Sequence, residues 1–245
     1  MFDINITQYP YTDFSTILAS VIGGLITGFF SWLATKQAHN HNRQLKNEEL
    51  FLYAKATALS IVEELKAIKD LYEKTFDEQF GKLQDGVYMN YLLTINPDCS
   101  TVYIQNAGEI GLIKDKTLRS YIIKSNLLLK KFIEYLNRYN ISSNQHDENR
   151  RNFMSLAYPN MVSTVSSQID VNAFVDSFMM KFFTDYSKVV EESKMTEAQL
   201  VSFVNNDKAS SAYLCDLTKA LKEDYYNLKN NIELTINRAN ELYGE

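Results

Sequence analysis

The chain is poor in the residues that most chemistry requires. Its 245 residues hold three histidines, two cysteines, three prolines, eight glycines and one tryptophan. Cys99 and Cys215 lie far apart and have no CxxC spacing. That excludes a disulfide framework or a zinc knuckle read from spacing, and a reducing compartment suits both thiols. There is no GxxxxGK[ST], no GxGxxG after a strand, no HExxH and no GxSxG. With 25 Lys and Arg against 30 Asp and Glu, the net charge is −5. A basic whole-protein footprint is therefore absent, and no nucleic-acid partner is expected.

The scattered titratable residues offer little convergence. His39 and His41 are two apart, which on a helix puts them on different faces and makes a poor chelate. His146 sits in "NQHDENRRN" with Asp147, Glu148, Arg150 and Arg151, a segment that reads as a solvated polar loop. The carboxylate pairs Glu63/Glu64 and Glu191/Glu192 are adjacent rather than a helical turn apart. No catalytic residue, cofactor or metal site is expected.

One long uncharged run stands against this background. Between Asp13 and Lys36 the 22 residues Phe14 to Thr35 carry no charge. A helix of that length is ~33 Å long, which matches a hydrocarbon core of ~30 Å. A buried core helix is the alternative, but the following charged element offers nothing to enclose it. A cleavable signal peptide would need a basic leader, and "MFDINITQYPYTD" has two aspartates and neither Lys nor Arg. The cations instead follow the span, at Lys36, Arg43 and Lys46. The positive-inside rule then predicts residues 1–13 outside, 14–35 in the membrane and 36–245 in the cytoplasm, at a cell inner membrane. Trp32, with Phe29 and Phe30, marks the inner interface beside Lys36, Arg43 and Lys46, and Tyr9 and Tyr11 mark the outer one.

The span also carries small residues at helical spacing. Ser20, Gly24 and Gly28 recur every four residues, with Ala19, Gly23, Thr27 and Ser31 beside them. Such a face lets a second helix approach closely, so a homo-oligomer is expected. A pore would need a polar stripe, and the hydroxyls of Ser20, Thr27, Ser31 and Thr35 can be satisfied on their own helix backbone.

Beyond the span, the scarcity of Gly and Pro permits long helices. Phe51, Ala54, Ala58, Ile61, Leu65, Ile68 and Tyr72 alternate steps of three and four, as a coiled-coil seam or a face packed on the chain's own helices would. Leu118, Ile122, Ser125, Leu129, Phe132, Leu136 and Tyr139 keep the same rhythm behind an Asp115 cap, in a helix expected to end in "NISSNQHDENRRN". A further helix is expected over Val171 to Ser193, opened by Asp170 and carrying Phe174, Phe178, Met179, Phe182 and Phe183. The last is expected from about Asp207 to Leu242, with Leu214, Leu217, Leu221, Leu228, Ile232, Ala239 and Leu242 inward. Tyr225 and Tyr226 serve either core or a partner surface. The fold class expected is all-α: one N-terminal transmembrane helix and a cytoplasmic bundle of long antiparallel helices.

Between the long helices, Val87, Met89, Tyr91, Leu93 and Ile95 alternate with period two, but a lone strand has no pairing partner, so short helices and turns are expected there. In "TVYIQNAGEIGLIKDKTLRSYII", Gly111 is expected as a left-handed helix stop, Asp115 as the next start, and Asn106 as a local cap. Val102, Tyr103, Asn106, Ile110 to Ile113, Leu118 and Ile122 resemble a segment of bacterial and phage proteins with one N-terminal membrane helix and a helical cytoplasmic domain. These proteins are largely without assigned function. The resemblance covers about a tenth of the chain, departs at "KSN" (Lys124 to Asn126), and implies architecture and a bacterial or phage setting, with which defence or exclusion is compatible.

The function expected is a non-enzymatic, membrane-anchored interaction or sensor module whose partners are the lipid bilayer, its own copies and an unidentified protein. The alternative is an oligomerising effector that perturbs the membrane through the Gly-rich helix.

Overall fold

A computed structural model describes residues 12–84, 86–89, 100–159 and 171–244. Among these every regular element is helical and no strand occurs. Helix α1 (Thr12–Tyr72) runs into a π-helical turn (Glu73–Asp77) and α2 (Glu78–Lys82). Short α3 (Thr101–Asn106) and a 3₁₀ turn (Ile110–Leu112) precede α4 (Lys116–Ala157), then α5 (Val171–Thr184), α6 (Tyr186–Glu192) and α7 (Glu197–Tyr243). The chain divides into two compact units, residues 1–55 and 56–245. Tyr9, Tyr11, Pro97, Cys99, Asp170 and the alternating Tyr91, Leu93 and Ile95 lie outside the described residues.

In the first unit, α1 is exposed at every residue from Thr16 to Tyr53. It is the one described helix long and apolar enough to cross a membrane, and none of its apolar window is buried within the chain. Its hydroxyls turn back on the helix. Ser20 Oγ donates to the Thr16 carbonyl, Thr27 Oγ1 to that of Gly23 and Thr35 Oγ1 to that of Ser31, each at 2.8 Å. Phe51, expected in the buried seam, is 46% exposed.

The second unit is built on α4 and α7. Their partners fall in reverse order, from Asp115 with Arg238 at one end, through Ser125 with Thr235 and Lys131 with Asp224, to Arg150 with Asp207 at the other. The two helices therefore run antiparallel. Ala58, Ile61, Leu65, Ile68 and Tyr72 of α1 join the core that they enclose. Phe76 of the π turn is central to it, with ring centroids 5.6 Å from Tyr72, 5.5 Å from Phe80, 5.2 Å from Phe132 and 5.8 Å from Tyr225. A π turn holds more residues per turn than an α-helix, so Tyr72, Phe76 and Phe80, spaced by four, stay on one side. Tyr225 is core, whereas Tyr226 is 43% exposed.

The connection between α2 and α4 is tied down by polar side chains. Glu64 of α1 accepts from the Val102 and Tyr103 backbone N–H groups at 2.7 and 2.9 Å, so it satisfies otherwise orphaned donors of α3. Adjacency to Glu63 is thus irrelevant to its role. Asn106 Nδ2 donates to the Val102 carbonyl at 2.8 Å, a local bond as expected. Gly111 is no left-handed stop: it lies inside the 3₁₀ turn, and Gly86 is the single residue with positive φ, +82°, among those described. Asp115 caps α4, accepting from the Leu118 N–H at 2.6 Å, and also holds Arg238 at 2.6 Å.

Three helix boundaries differ from expectation. Helix α4 does not stop in the polar segment but continues to Ala157. After Tyr139 its buried side is carried by Ser143, His146, Arg150, Phe153 and Ala157, the same alternation of three and four, with its first three members polar. Helix α7 starts ten residues before Asp207, at Glu197, because Thr196 and Gln199 form a reciprocal capping box. The Val171 to Ser193 stretch breaks at Asp185, whose φ of −144° and ψ of 65° leave the helical region. Phe178 and Phe182 pack with Phe153, Val175, Val189, Leu200 and Val204 in a second, smaller core. Leu242, expected inward, is 37% exposed, and Phe183 is 58% exposed.

Candidate functional site

The residues singled out in the apolar run lie exposed along α1. Gly24 and Gly28, one turn apart, have open space where a side chain would begin: a Cβ at Gly23, Gly24 or Gly28 meets nothing within 4 Å. Nothing in the chain's own packing requires their smallness. Ser20, which continues their row, spends its hydroxyl on Thr16. Lys36 Nζ stands 5.0 Å from the Trp32 ring centroid, a cation–π pair one turn apart. Arg43 and Lys46 are exposed, as are His39 and His41.

The chemically denser place is in the second unit, in the segment whose polarity suggested a loop. His146, Arg150 and Asp207 are 2%, 3% and 6% exposed. Burying such groups is costly unless each is paired and hydrogen-bonded. The planar guanidinium of Arg150 meets the Asp207 carboxylate in a two-pronged pair, Nε to Oδ1 at 2.8 Å and Nη2 to Oδ2 at 2.9 Å. Its remaining nitrogen, Nη1, donates to Asn172 Oδ1 at 3.2 Å and lies 3.1 Å from Asp176 of α5. Burial pulls the Arg150 pKa down, but Asp207 more than offsets it and the net shift is upward. Arg150 is therefore a fixed cation.

His146 sits beside this pair on the preceding turn of α4. Its Nε2 is 3.4 Å from the Tyr88 hydroxyl and 3.8 Å from Asp207 Oδ1, and the Tyr88 ring meets it edge-on at 5.7 Å and 89°. Burial, then the Arg150 charge, lower the imidazole pKa against the opposing pull of Asp207, Asp147 and Asp176. His146 is thus a neutral imidazole near pH 7. Burial likewise raises the Tyr88 phenol, which stays protonated.

A cleft of about 480 Å³ opens between α4 and α7 on this cluster. His146 and Asp207 form part of its wall, with Phe153 and Phe203 stacked at 3.7 Å and 8°. Asn149 and Asn152 border it from α4, Gln199 and Asn206 from α7. The volume is within the ~300–1,000 Å³ usual for small-molecule sites. The cleft can exchange hydrogen bonds with an occupant and cover an apolar face. Among the described residues no three His, Cys, Asp or Glu side chains converge to hold a metal ion.

Comparison of the chain with protein-family models, with curated proteins and with solved structures finds no match. The signal for the cluster lay in phase rather than motif. His146 and Arg150 are four apart and continue the Leu118 to Tyr139 rhythm, so that one buried stripe changes from apolar to polar without changing its period.

Proposed function

We propose that the chain is a single-pass, membrane-anchored interaction or sensor module. Residues 14–35 cross the bilayer, 1–13 lie outside, and 36–245 form a cytoplasmic bundle of long antiparallel helices that engages an unidentified protein partner. The observation that supports this reading is the exposure of Ile17, Leu18, Val21, Ile22, Leu25, Ile26, Phe29, Phe30, Trp32 and Leu33, each at 37% or more. Leaving such a side chain in water forgoes ~1.5–3 kcal/mol relative to full burial. A bilayer removes the whole set from water at once. Lys36, Arg43 and Lys46 orient the helix with its C-terminal end inside. The resemblance around Val102 to Ile113 favours a bacterial or phage setting, in which defence or exclusion is a compatible role.

Membrane fractionation of the expressed chain tests the anchor. It should resist alkaline extraction and dissolve in detergent, and recovery in the soluble fraction would overturn the reading. A reporter fused after Glu245 should be active only in the cytoplasm. Pull-down from membranes at native expression level should return a protein partner, and a homo-oligomer with no other partner would remove the recruitment role.

The open space at Gly23, Gly24 and Gly28 favours a second reading, an oligomerising effector whose helices pack through Ser20, Gly24 and Gly28 and perturb the membrane. In that case overexpression depolarises cells, and Gly24→Leu with Gly28→Leu abolishes depolarisation while the chain stays in the membrane. Depolarisation that survives the double substitution would exclude this face from the effect.

A further inference from the structure

We propose that the cleft between α4 and α7 binds an uncharged, planar nitrogen heterocycle of the nucleobase class, presented as a nucleoside. The first support is the imidazole in the cleft wall. His146 is 2% exposed and lines the cleft, and its polar neighbours, Tyr88 and Asp207, both lie on the Nε2 side. Among the described residues Nδ1 has no hydrogen-bonding partner. On the side of the ring opposite those neighbours, Nδ1 is free to exchange a hydrogen bond with an occupant of the cleft.

The second support is charge. The ionisable side chains lining the cleft are His146, held neutral by its surroundings, and Asp207, whose two oxygens are taken by Arg150. Among the described residues no lysine or arginine lines it. An anionic group such as a phosphate finds no cation there, and a cation finds no unshared carboxylate. The occupant is therefore uncharged.

The third support is the pairing of amides with aromatic surface. Asn149 and Asn152 are three apart on α4, and Gln199 and Asn206 are seven apart on α7, so each pair shares a helix face. Gln199 Oε1 is taken by Thr196 in the capping box, so Asn149, Asn152 and Asn206 are the amides that present a donor and an acceptor side by side, the pattern that matches the edge of a heterocyclic base. Half-buried Phe203, stacked on Phe153, offers the apolar face on which a flat ring lies.

The test is independent of how the chain meets the membrane. The purified full chain in detergent is titrated with adenosine, inosine and uridine while the imidazole resonances of His146, assigned with His146→Gln, are followed by NMR. At least one nucleoside should shift them saturably at or below millimolar concentration. Ser202→Trp, an exposed substitution in the cleft wall, should leave the melting temperature unchanged and weaken binding at least tenfold. Adenosine monophosphate should bind no tighter than adenosine. The proposal is overturned if none of the three nucleosides shifts His146, if Ser202→Trp binds as well as the native chain, or if the phosphate tightens binding.

Discussion

Arg150 and Asp207 show how an ion pair can be buried where neither charge alone could be. Removing one partner strands the other, so Asp207→Ala should cost ~3–5 kcal/mol, read by urea unfolding of the full chain in detergent. Arg150→Met combined with Asp207→Leu should recover most of that loss, because an apolar pair of similar size needs no compensation. His146 makes stability depend on pH with a definite sign. Its folded pKa lies below the ordinary 6.5, so the unfolded chain takes up the proton first. The contribution is complete above about pH 6.5 and is lost as pH falls toward the depressed value. Unfolding midpoints measured from pH 7.5 down to 5 should decline more steeply for the native chain than for His146→Gln, which has no such proton to gain.

At the scale of elements, the long helices were legible because few glycines and prolines interrupt them and their apolar side chains keep one period. Ala58 to Tyr72, Leu118 to Tyr139 and Leu214 to Ala239 are buried as their spacing implies. What was hidden is the continuation of that period in polar residues. Ser143, His146 and Arg150 suggest solvent until Asp207, 57 residues away from Arg150, supplies the compensating charge, and no local pattern announces such a partner. The start of α7 differs in kind, because it is marked locally by the capping box of Thr196 and Gln199. Thr196→Ala should cost ~1 kcal/mol by removing that cap. Phe132→Ala, which empties space against Tyr72, Phe76 and Tyr225, should cost ~3–5 kcal/mol. Thermal melts of the two variants should fall in that order, and an equal shift would show that the aromatic group is not the centre of the core.

At the scale of the whole molecule, the two units face different demands. Exposed apolar side chains dominate the first, and the second encloses both cores. On the proposed single-pass reading, Leu25→Arg, near the middle of the apolar run, should reduce membrane insertion, since a central arginine costs ~2.5–3.5 kcal/mol on insertion scales. Extraction assays should show this while the melting of the second unit is unchanged. The antiparallel pairing of α4 with α7 also sets an order of assembly. Arg150 and Asp207 are 57 residues apart in the chain, whereas Asp115 and Arg238 are 123 apart. Closing the shorter loop first saves ~0.7 kcal/mol of chain entropy, and each pair beyond it then needs only a few more residues brought in. The helices should close like a zipper from the Phe153 and Val204 end toward Leu118 and Ile236. Pulse-labelled hydrogen exchange during refolding would reveal it as earlier protection of the amides around Val204 than of those around Ile236, and simultaneous protection would show that the two ends form together.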